Sequence, residues 1–209
     1  MYKGHSITVI IPTMNEEAGI ARVLDEIPGY VDEVMVVDSS SDRTAEIAKS
    51  KNAKVVREER RGYGRAYKTG FENSTSEYIT TIDGDGTYPV YQIAEMLDFA
   101  AGNNIDFLSG SRFPLKVPDS MKAVNLIGNK LLTWAFNVLY FKNVRDILTG
   151  MWLIKRDIIP YLNITSDDWN FSEEIKIEAI KAKNIKFAEF CIDYHRGEGR
   201  NIQACRNCI

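Results

Sequence analysis

Two aspartates one residue apart, Asp83 and Asp85, directly follow the apolar run YITTI at 78–82. The run predicts a buried strand, and the two glycines and the proline within 83–89 predict a turn after it. The carboxylates would then lie at the carboxyl end of a strand, which is where open α/β sheets bind ligands. A hard divalent cation takes oxygen ligands, commonly one or two carboxylates together with substrate phosphates. The alternative is an ordinary acidic turn with solvated carboxylates.

Polar groups also follow two other predicted strands. The first strand leads to Pro12 and Glu16, and the second leads to Asp38 and Ser41. The carboxyl ends of parallel strands meet at one rim of a sheet, so these groups should lie beside the aspartate pair. A nucleotide needs acceptors for its base and ribose, and a metal or hydrogen-bond donors for its phosphates. Glu16 and Asp38 suit the first task, although Asp38 taken singly is equally well explained as a turn residue at a helix entry.

Strands and helices alternate along the first half of the chain, which predicts a mainly parallel sheet with helices on both faces. Hydrophobic periodicity predicts strands at 7–11, 34–37, 54–56, 78–82 and 106–108, and helices at about 16–27, 44–50, 64–73 and 91–101. We expect Pro12 to stop the first strand. The second half should contain a loop at 110–120, a helix at about 121–141, a strand at 151–154, a helix from a Ser172 cap to about 183, and a strand at 185–192.

The composition of the 209-residue chain is that of a globular protein, and its length suits one domain. The net charge is −3, without the basic excess that nucleic-acid binding favours. Three cysteines argue against a disulfide framework and suit a reducing compartment. Residues 1–6 carry no apolar signal segment, and no run approaches the ~20 apolar residues of a spanning helix. We therefore expect a cytoplasmic protein that binds no nucleic acid.

Taken together, the motifs resemble glycosyltransferase family 2 and its GT-A fold. The segments that carry the resemblance are IIPTMNE at 10–16, VVD at 36–38, SDRT at 41–44, GYG at 62–64 and DGD at 83–85. Three others, SGSR at 109–112, GN at 128–129 and DILTG at 146–150, are most similar to the polyprenyl-phosphate sugar synthases, such as the dolichyl-phosphate mannose synthases. The resemblance implies an α/β protein of three layers, α/β/α, with a mainly parallel central sheet and a Rossmann-like nucleotide-binding half.

The resemblance also implies a nucleotide-sugar donor, Mg²⁺ or Mn²⁺, and transfer with inversion. Matched motif by motif, the donor would meet Pro12, Glu16, Asp38, Ser41, Asp83, Asp85, Arg196 and Arg200. The metal would meet Asp83, Asp85 and Thr87, and Arg112 would approach the donor or acceptor phosphate. We expect a single domain at 1–209, with a nucleotide-sugar-binding half at about 1–110, an acceptor-binding half at about 111–200 and a tail at 201–209.

The acceptor decides which further side chains the reaction needs. A lipid phosphate is already anionic at neutral pH and needs no strong general base, whereas a sugar hydroxyl needs a carboxylate base. The candidates for that base are Asp146, Glu173 and Glu174, whose alternative explanation is a turn and a solvated helix face. The leaving nucleoside diphosphate needs a cation and arginines for its developing charge. We predict Asp85, Arg112 and Glu174 as catalytic residues.

The segment 126–141 predicts a helix that is apolar on most sides, with only a thin stripe of asparagines and a threonine. Such a helix is either buried in the core or lies against lipid. Basic residues around it would help the second alternative, and they are Lys116, Lys122, Lys130, Lys142 and Arg145. We assign Lys122, Asn129 and Trp134 to an acceptor or membrane surface, and both alternatives stay open from the sequence.

The sequence thus predicts a membrane-peripheral, cytoplasmic hexosyltransferase. Its donor would be of the GDP-mannose or UDP-glucose type, and its acceptor would be a polyprenyl or dolichyl phosphate, with or without a membrane-protein partner. One alternative is a family 2 enzyme that acts on a soluble or polysaccharide hydroxyl, and another is a nucleotide-sugar-binding module without turnover. A nucleotidyltransferase is disfavoured, because no glycine-rich, basic loop follows the first strand.

Overall fold

The computed structural model describes residues 1–115 and 121–194, so that Lys116, Arg196 and Arg200 lie outside the described residues. The strands are β1 (Ile7–Thr13), β2 (Glu33–Asp38), β3 (Lys54–Arg57), β4 (Tyr78–Thr81), β5 (Phe107–Ser111), β6 (Trp152–Lys155) and β7 (Phe187–Cys191). The helices are α1 (Ile20–Glu26), α2 (Thr44–Ser50), α3 (Tyr63–Asn73), α4 (Ile93–Asn103), α5 (Ala123–Tyr140) and α6 (Phe171–Lys181). Short 3₁₀ helices cover Val90–Gln92 and Arg156–Tyr161.

Within these residues the strands form one sheet in the order β3-β2-β1-β4-β6-β5-β7. β1 pairs in parallel with β2 and β4, β2 pairs in parallel with β3, and β5 pairs in parallel with β7. β6 runs antiparallel between β4 and β5. The prediction of a mainly parallel α/β sheet is confirmed, and the carboxyl ends of β1, β2 and β4 share one rim.

Strand β1 shows why the sheet lies at the centre of the molecule. Ile7, Val9, Ile10 and Ile11 are fully buried, so both faces of the strand are removed from water. Ile7, Val9 and Ile11 belong to one core cluster, whereas Ile10 packs in a second cluster with residues of α3 and α6. The alternation follows the two-residue period of a strand. Burial on both faces explains the unbroken apolar run in the sequence.

The prediction that Pro12 stops the first strand is wrong. β1 continues to Thr13, and Pro12 lies opposite Val37 of β2. The carbonyl of Thr13 points toward β2, where it accepts from the N–H of Ser39. The backbone polar groups of successive residues in a strand point to opposite sides, so the nitrogen of Pro12 points away from β2. On that side the pairing with β4 ends at Ile10, and the missing N–H of proline therefore breaks no ladder bond.

Other predicted boundaries move for local reasons. α1 begins at Ile20 rather than near residue 16, because the carbonyl of Glu16 closes a turn by accepting from two successive N–H groups. β5 extends to Ser111 because β7 pairs with it over its whole length. Ser172 does not cap α6, since the helix begins one residue earlier, after Asn170.

Helix α5 directs its polar stripe inward and its apolar surface outward. Asn129, Thr133 and Phe136 are buried, and Thr133 Oγ1 donates to Asn129 Oδ1 at 3.1 Å. The large apolar residues of α5 that are more than half exposed, which we call the α5 apolar surface, are Val124, Ile127, Leu131, Leu132, Trp134, Val138 and Leu139. Of the two alternatives for this helix, burial in the core is therefore wrong.

Candidate active site

Three strand ends meet at the rim of the sheet. Thr13 at the end of β1 donates its hydroxyl hydrogen to Asp38 Oδ1, at the end of β2, over 2.9 Å. The turn after β4 lies against the same loop, since a Cβ placed on Gly84 would come 3.2 Å from Thr13 Cγ2 and 3.3 Å from Glu16 Cγ. The structure thus brings together the polar segments that the sequence places after the first, second and fourth strands.

Asp38 is held tightly within this rim. It is 1% exposed, and its second carboxylate oxygen accepts from Arg57 at 2.7 Å. Asn15 joins the loops that follow β1 and β2, because its N–H donates to Ser40 Oγ and its side-chain oxygen accepts from the N–H of Ser41. Asp38 and Ser41 therefore lie where the sequence predicts them, and Asp38 also fixes the rim itself.

Asp83 and Asp85 lie in the turn after β4, together with Thr87. Asp85 Oδ1 accepts from the N–H of Thr87 at 3.1 Å and from its hydroxyl at 2.9 Å. Burial, and then the negative charge of Asp85, raise the pKa of Asp83 to about 7, while Arg112 acts in the opposite direction. A divalent cation would relieve this repulsion, so the donor set fits a cation that takes its remaining ligands from substrate phosphates.

No cluster of three or more histidine, cysteine, aspartate or glutamate side chains suited to a metal occurs among the described residues. A site that combines two carboxylates with phosphate oxygens from a substrate has no need of a third such side chain.

Arg112, which follows β5, forms a buried ion pair with Asp146. Its Nε and one terminal nitrogen donate to the two carboxylate oxygens at 2.6 and 2.8 Å, and its backbone N–H donates at 3.1 Å. Arg112 is 8% exposed and Asp146 is fully buried. The guanidinium carbon lies 5.3 Å from the centre of the Tyr194 ring. The positive charge of Arg112 opposes the rise in the pKa of Asp83, so an arginine fixed by its ion pair acts electrostatically on that carboxyl.

The three candidate bases have different surroundings. Burial opposes ionisation of Asp146, but the bonds from Arg112 hold its pKa below the usual value. Burial opposes ionisation of Glu174, but bonds from the Thr165 hydroxyl and from the N–H groups of Ser166 and Thr165 lower its pKa. Both groups hold the fold locally, so neither arrangement favours proton abstraction.

Glu173 is the exception among the three. Its Oε2 is buried without a hydrogen-bond partner among the described residues, and burial raises its pKa. Of the three candidates, Glu173 thus has the unpaired oxygen and the raised pKa that are most typical of a proton acceptor.

Several groups of the site were not among the predicted site residues. Tyr63 points its hydroxyl at Asp83 Oδ1 over 3.5 Å, and the hydroxyl of Tyr88 accepts from the N–H of Gly150 at 2.7 Å. Lys176 is fully buried, and its Nζ donates to the carbonyl of Thr149 at 2.8 Å. The glycines on both sides of Tyr63 and the proline after Tyr88 could have indicated that these tyrosines lie in tight segments near the site. Lys176 gave none, because it lies in an ordinary charged helix sequence.

Of the residues assigned to an acceptor or membrane surface, Asn129 and Trp134 lie on opposite sides of α5. The amide of Asn129 donates to Asp146 Oδ1 at 3.0 Å, so Asn129 supports the Arg112 ion pair. Trp134 is 63% exposed, and Lys122 directly precedes the helix. No helix of the described residues is long and apolar enough to cross a membrane.

The family model for glycosyl transferase family 2 matches residues 8–161, a span that contains all three strand ends of the rim. The chain belongs to glycosyl transferase family 2. It is 31% identical over 201 residues to a dolichyl-phosphate hexose transferase of Haloferax volcanii, covering 95% of this chain and 86% of the relative.

A second relative from Haloferax volcanii is the low-salt glycan biosynthesis hexosyltransferase Agl6, which is 35% identical over 202 residues. That match covers 93% of this chain but 49% of Agl6, and a match to the glycosyltransferase AglJ of the same organism covers 59% of AglJ. The chain thus spans about half the length of these two relatives.

Among solved structures, the chain is similar to glucosyl-3-phosphoglycerate synthase of Mycobacterium tuberculosis in complex with Mn²⁺, UDP and glucosyl-3-phosphoglycerate. The TM-score is 0.77 at 22% sequence identity, and the match covers 97% of this chain and 75% of the synthase. This similarity confirms the GT-A fold that the sequence motifs imply.

Proposed function

We propose that the protein is a metal-dependent, inverting glycosyltransferase that moves a hexose from a nucleotide diphosphate to a polyprenyl phosphate at a membrane surface. The observation that carries the proposal is the aspartate pair, Asp83 and Asp85, together with the buried cation Arg112, whose charge acts on Asp83. An anionic leaving group needs positive charge that is already in position, and Arg112 provides a fixed share of it. The Mn²⁺ complex of the structurally similar synthase supports a divalent cation as the other share.

Residues of the rim would bind the nucleotide-sugar donor. Asp38 and Glu16 would bind the nucleoside, and Asp83 and Asp85, with Thr87 beside them, would hold Mg²⁺ or Mn²⁺. The cation, when bound, supplies Lewis-acid stabilisation of the diphosphate. Arg112 holds a positive charge beside the departing phosphate, and the bidentate bonds to Asp146 keep its guanidinium from reorienting.

The acceptor half rests on the chemistry of a phosphate and on helix α5. A phosphate monoester is ionised at neutral pH, which agrees with the engagement of Asp146 and Glu174 in the fold. The α5 apolar surface supplies large side chains that a bilayer would cover, and Lys122 and Lys130 supply positive charge for anionic lipid. The dolichyl-phosphate hexose transferase relative supports the same acceptor class.

The alternative is transfer to a sugar hydroxyl, and one observation favours it. Glu173 has the raised pKa and the unpaired oxygen of a proton acceptor, which a phosphate acceptor would not need. A Glu173→Gln variant therefore separates the two functions. It should retain transfer to a phosphate acceptor and should lose transfer to a hydroxyl by ~100-fold or more.

The direct test supplies the protein with Mn²⁺, UDP-glucose or GDP-mannose, and a short polyprenyl phosphate in detergent. Formation of the lipid-linked hexose supports the proposal, and Asp85→Ala should reduce it by at least ~100-fold while leaving the fold intact. Asp25→Ala, which removes an exposed carboxylate paired with Lys51, is the matched control. Transfer to soluble sugars alone would establish the alternative, and donor binding without any product would leave a binding module.

A further inference from the structure

We propose that Trp169 and Tyr63 form an aromatic platform that binds the hexose ring of the nucleotide sugar. The inference rests on the proposed function, because it adds a sugar-recognising part to the same donor site. It assigns a role to residues 165–170, which we call the platform loop. They lie in the connection between the second 3₁₀ helix and α6 and belong to none of the family motifs.

Trp169 is a large aromatic side chain held at the surface. It is 63% exposed although its indole stacks on the Tyr63 ring, with centroids 4.6 Å apart and planes inclined by 16°. The stacked partner covers one face of the indole and leaves the other to solvent. An ordered aromatic face that stays open is suited to a ligand that is apolar on one side and polar at its edges.

Tyr63 connects Trp169 to the acidic pair. Its hydroxyl lies 3.5 Å from Asp83 Oδ1, and a Cβ placed on Gly150 would come 2.5 Å from the same hydroxyl. Its ring also packs edge-on against Tyr67, with centroids 4.9 Å apart. Trp169 is thus separated by one tyrosine ring from the carboxylate assigned to the metal and diphosphate. In a nucleotide sugar, the hexose follows the diphosphate directly.

Hydrogen bonds fix the loop that carries Trp169. Glu174 accepts from the N–H of Thr165 at 3.0 Å and from its hydroxyl at 2.6 Å. Its other oxygen accepts from the N–H of Ser166 at 2.8 Å. Glu174, predicted as a catalytic residue, therefore serves in this structure as the anchor of the platform loop.

Close packing against α3 fixes the same loop from the other side. Gly62 has a φ of +142°, and a Cβ there would collide with the carbonyl oxygen of Asp167. A Cβ on Gly64 would lie 2.6 Å from the Cβ of Phe171. The two glycines of the GYG motif allow this approach, and Tyr63 between them is held against Trp169 as a result.

The position of the platform favours a hexose over a nucleobase. Both ligands stack on aromatic rings, and the apolar C–H face of a pyranose leaves its hydroxyls free for polar groups. The nucleoside is assigned to Asp38 and Glu16, which follow β2 and β1. Trp169 instead contacts Tyr63, whose hydroxyl lies near Asp83, and Asp83 is assigned to the diphosphate end of the donor.

The test compares the binding of UDP-glucose and GDP-mannose with that of UDP and GDP by calorimetry, in Mn²⁺ and without an acceptor. Trp169→Ala should weaken the better-bound nucleotide sugar by about 10-fold and leave its free nucleoside diphosphate unchanged, and Trp169→Phe should recover part of the loss. Tyr161→Ala is the matched control, since Tyr161 is an aromatic residue that is 68% exposed and has no assigned role in binding.

A second readout does not depend on a truncated side chain. In a Trp134→Phe background, Trp169 is the exposed tryptophan, because Trp152 is fully buried. The nucleotide sugar should change its fluorescence more than the free nucleoside diphosphate does. Equal losses for both ligands in Trp169→Ala would assign the platform to the base, and unchanged affinities would remove it from the donor site. If the parent protein bound none of the four ligands, the proposed function itself would fail.

Discussion

The amine of Lys176 lies 2.8 Å from the carbonyl oxygen of Thr149, deep inside the protein. The next N–H along the chain, that of Gly150, donates to the hydroxyl of Tyr88. A buried lysine therefore fixes the backbone that borders the aspartate pair. The charge of this lysine should also be visible in the stability of the protein.

Lys176→Met should change the pH dependence of folding. Burial lowers the pKa of Lys176 to about 7 in the folded protein, although Asp146 acts in the opposite direction, whereas the unfolded chain titrates near 10.5. Between these values the unfolded chain binds a proton that the folded protein lacks, so a rise in pH favours folding. The free energy of unfolding of the parent, relative to Lys176→Met, should increase from about pH 7 to about pH 10.

Urea unfolding at several pH values measures this difference, and the variant serves as its own reference for every other titrating group. A difference that stays constant over the whole interval would mean that Lys176 remains protonated inside the protein.

Asp83→Asn should stabilise the protein in the absence of metal while weakening its ligand binding. Burial and Asp85 raise the pKa of Asp83 to about 7, so the folded protein binds an extra proton between 3.8 and that value, and a rise in pH through this interval disfavours folding. Above about pH 7, the neutral amide should raise the free energy of unfolding by at least about 1 kcal/mol. Chemical unfolding at about pH 8 with a chelator tests the gain, and calorimetry with Mn²⁺ and UDP or GDP tests the loss. A destabilised variant would indicate that Asp83 is a structural residue.

A double-mutant cycle at Arg112 and Asp146 should distinguish their effect on stability from their effect on transfer. Arg112→Gln leaves a buried carboxylate without its cation and should cost about 3 to 5 kcal/mol of unfolding free energy. Adding Asp146→Asn removes that charge and should restore much of the stability without restoring transfer. If transfer returned together with stability, Arg112 would act only through the fold.

The α5 apolar surface should bind anionic vesicles. Leu131, Trp134 and Leu139 are all more than half exposed, so glutamate at these positions should abolish vesicle flotation with little change in melting temperature. Tyr161→Glu places the same charge at a 68% exposed aromatic residue outside α5 and is the control. Parent protein that stays unbound at low salt would contradict a membrane role for this helix.

The sequence predicted the sheet and its rim because both depend on local patterns. Apolar runs mark the buried strands, and the glycines and proline after β4 place Asp83 and Asp85 in a turn. Which side of α5 faces the protein could not be predicted, because hydropathy alone favours burial of the apolar side. Hydrogen bonds between Asn129, Thr133 and Asn137 of the helix and the segment 144–147 that follows it hold this side inward.

The site residues that escaped prediction depend on contacts between distant parts of the chain. Trp169, in the β6–α6 connection, stacks on Tyr63 of α3, and nothing in the sequence around Trp169 signals that contact. Glu174 accepts from the backbone N–H groups of Thr165 and Ser166, which lie close to it in the sequence. Backbone groups are the same in every residue but proline, so the sequence does not reveal these bonds. Residue type suggested a base there, and only the geometry identifies a loop anchor.

The inward stripe of α5 has a consequence for lipid acceptors. Asn129 supports the Asp146–Arg112 pair from one side of the helix, while Trp134 lies on the other. In the proposed membrane-bound state, the depth of the guanidinium relative to the bilayer is therefore set by the width of one helix, about 10 Å. Recognition would then depend on the depth of the head group in the membrane and not on the length of the lipid chain. Polyprenyl phosphates of very different chain lengths should place their phosphate at the same depth relative to Arg112.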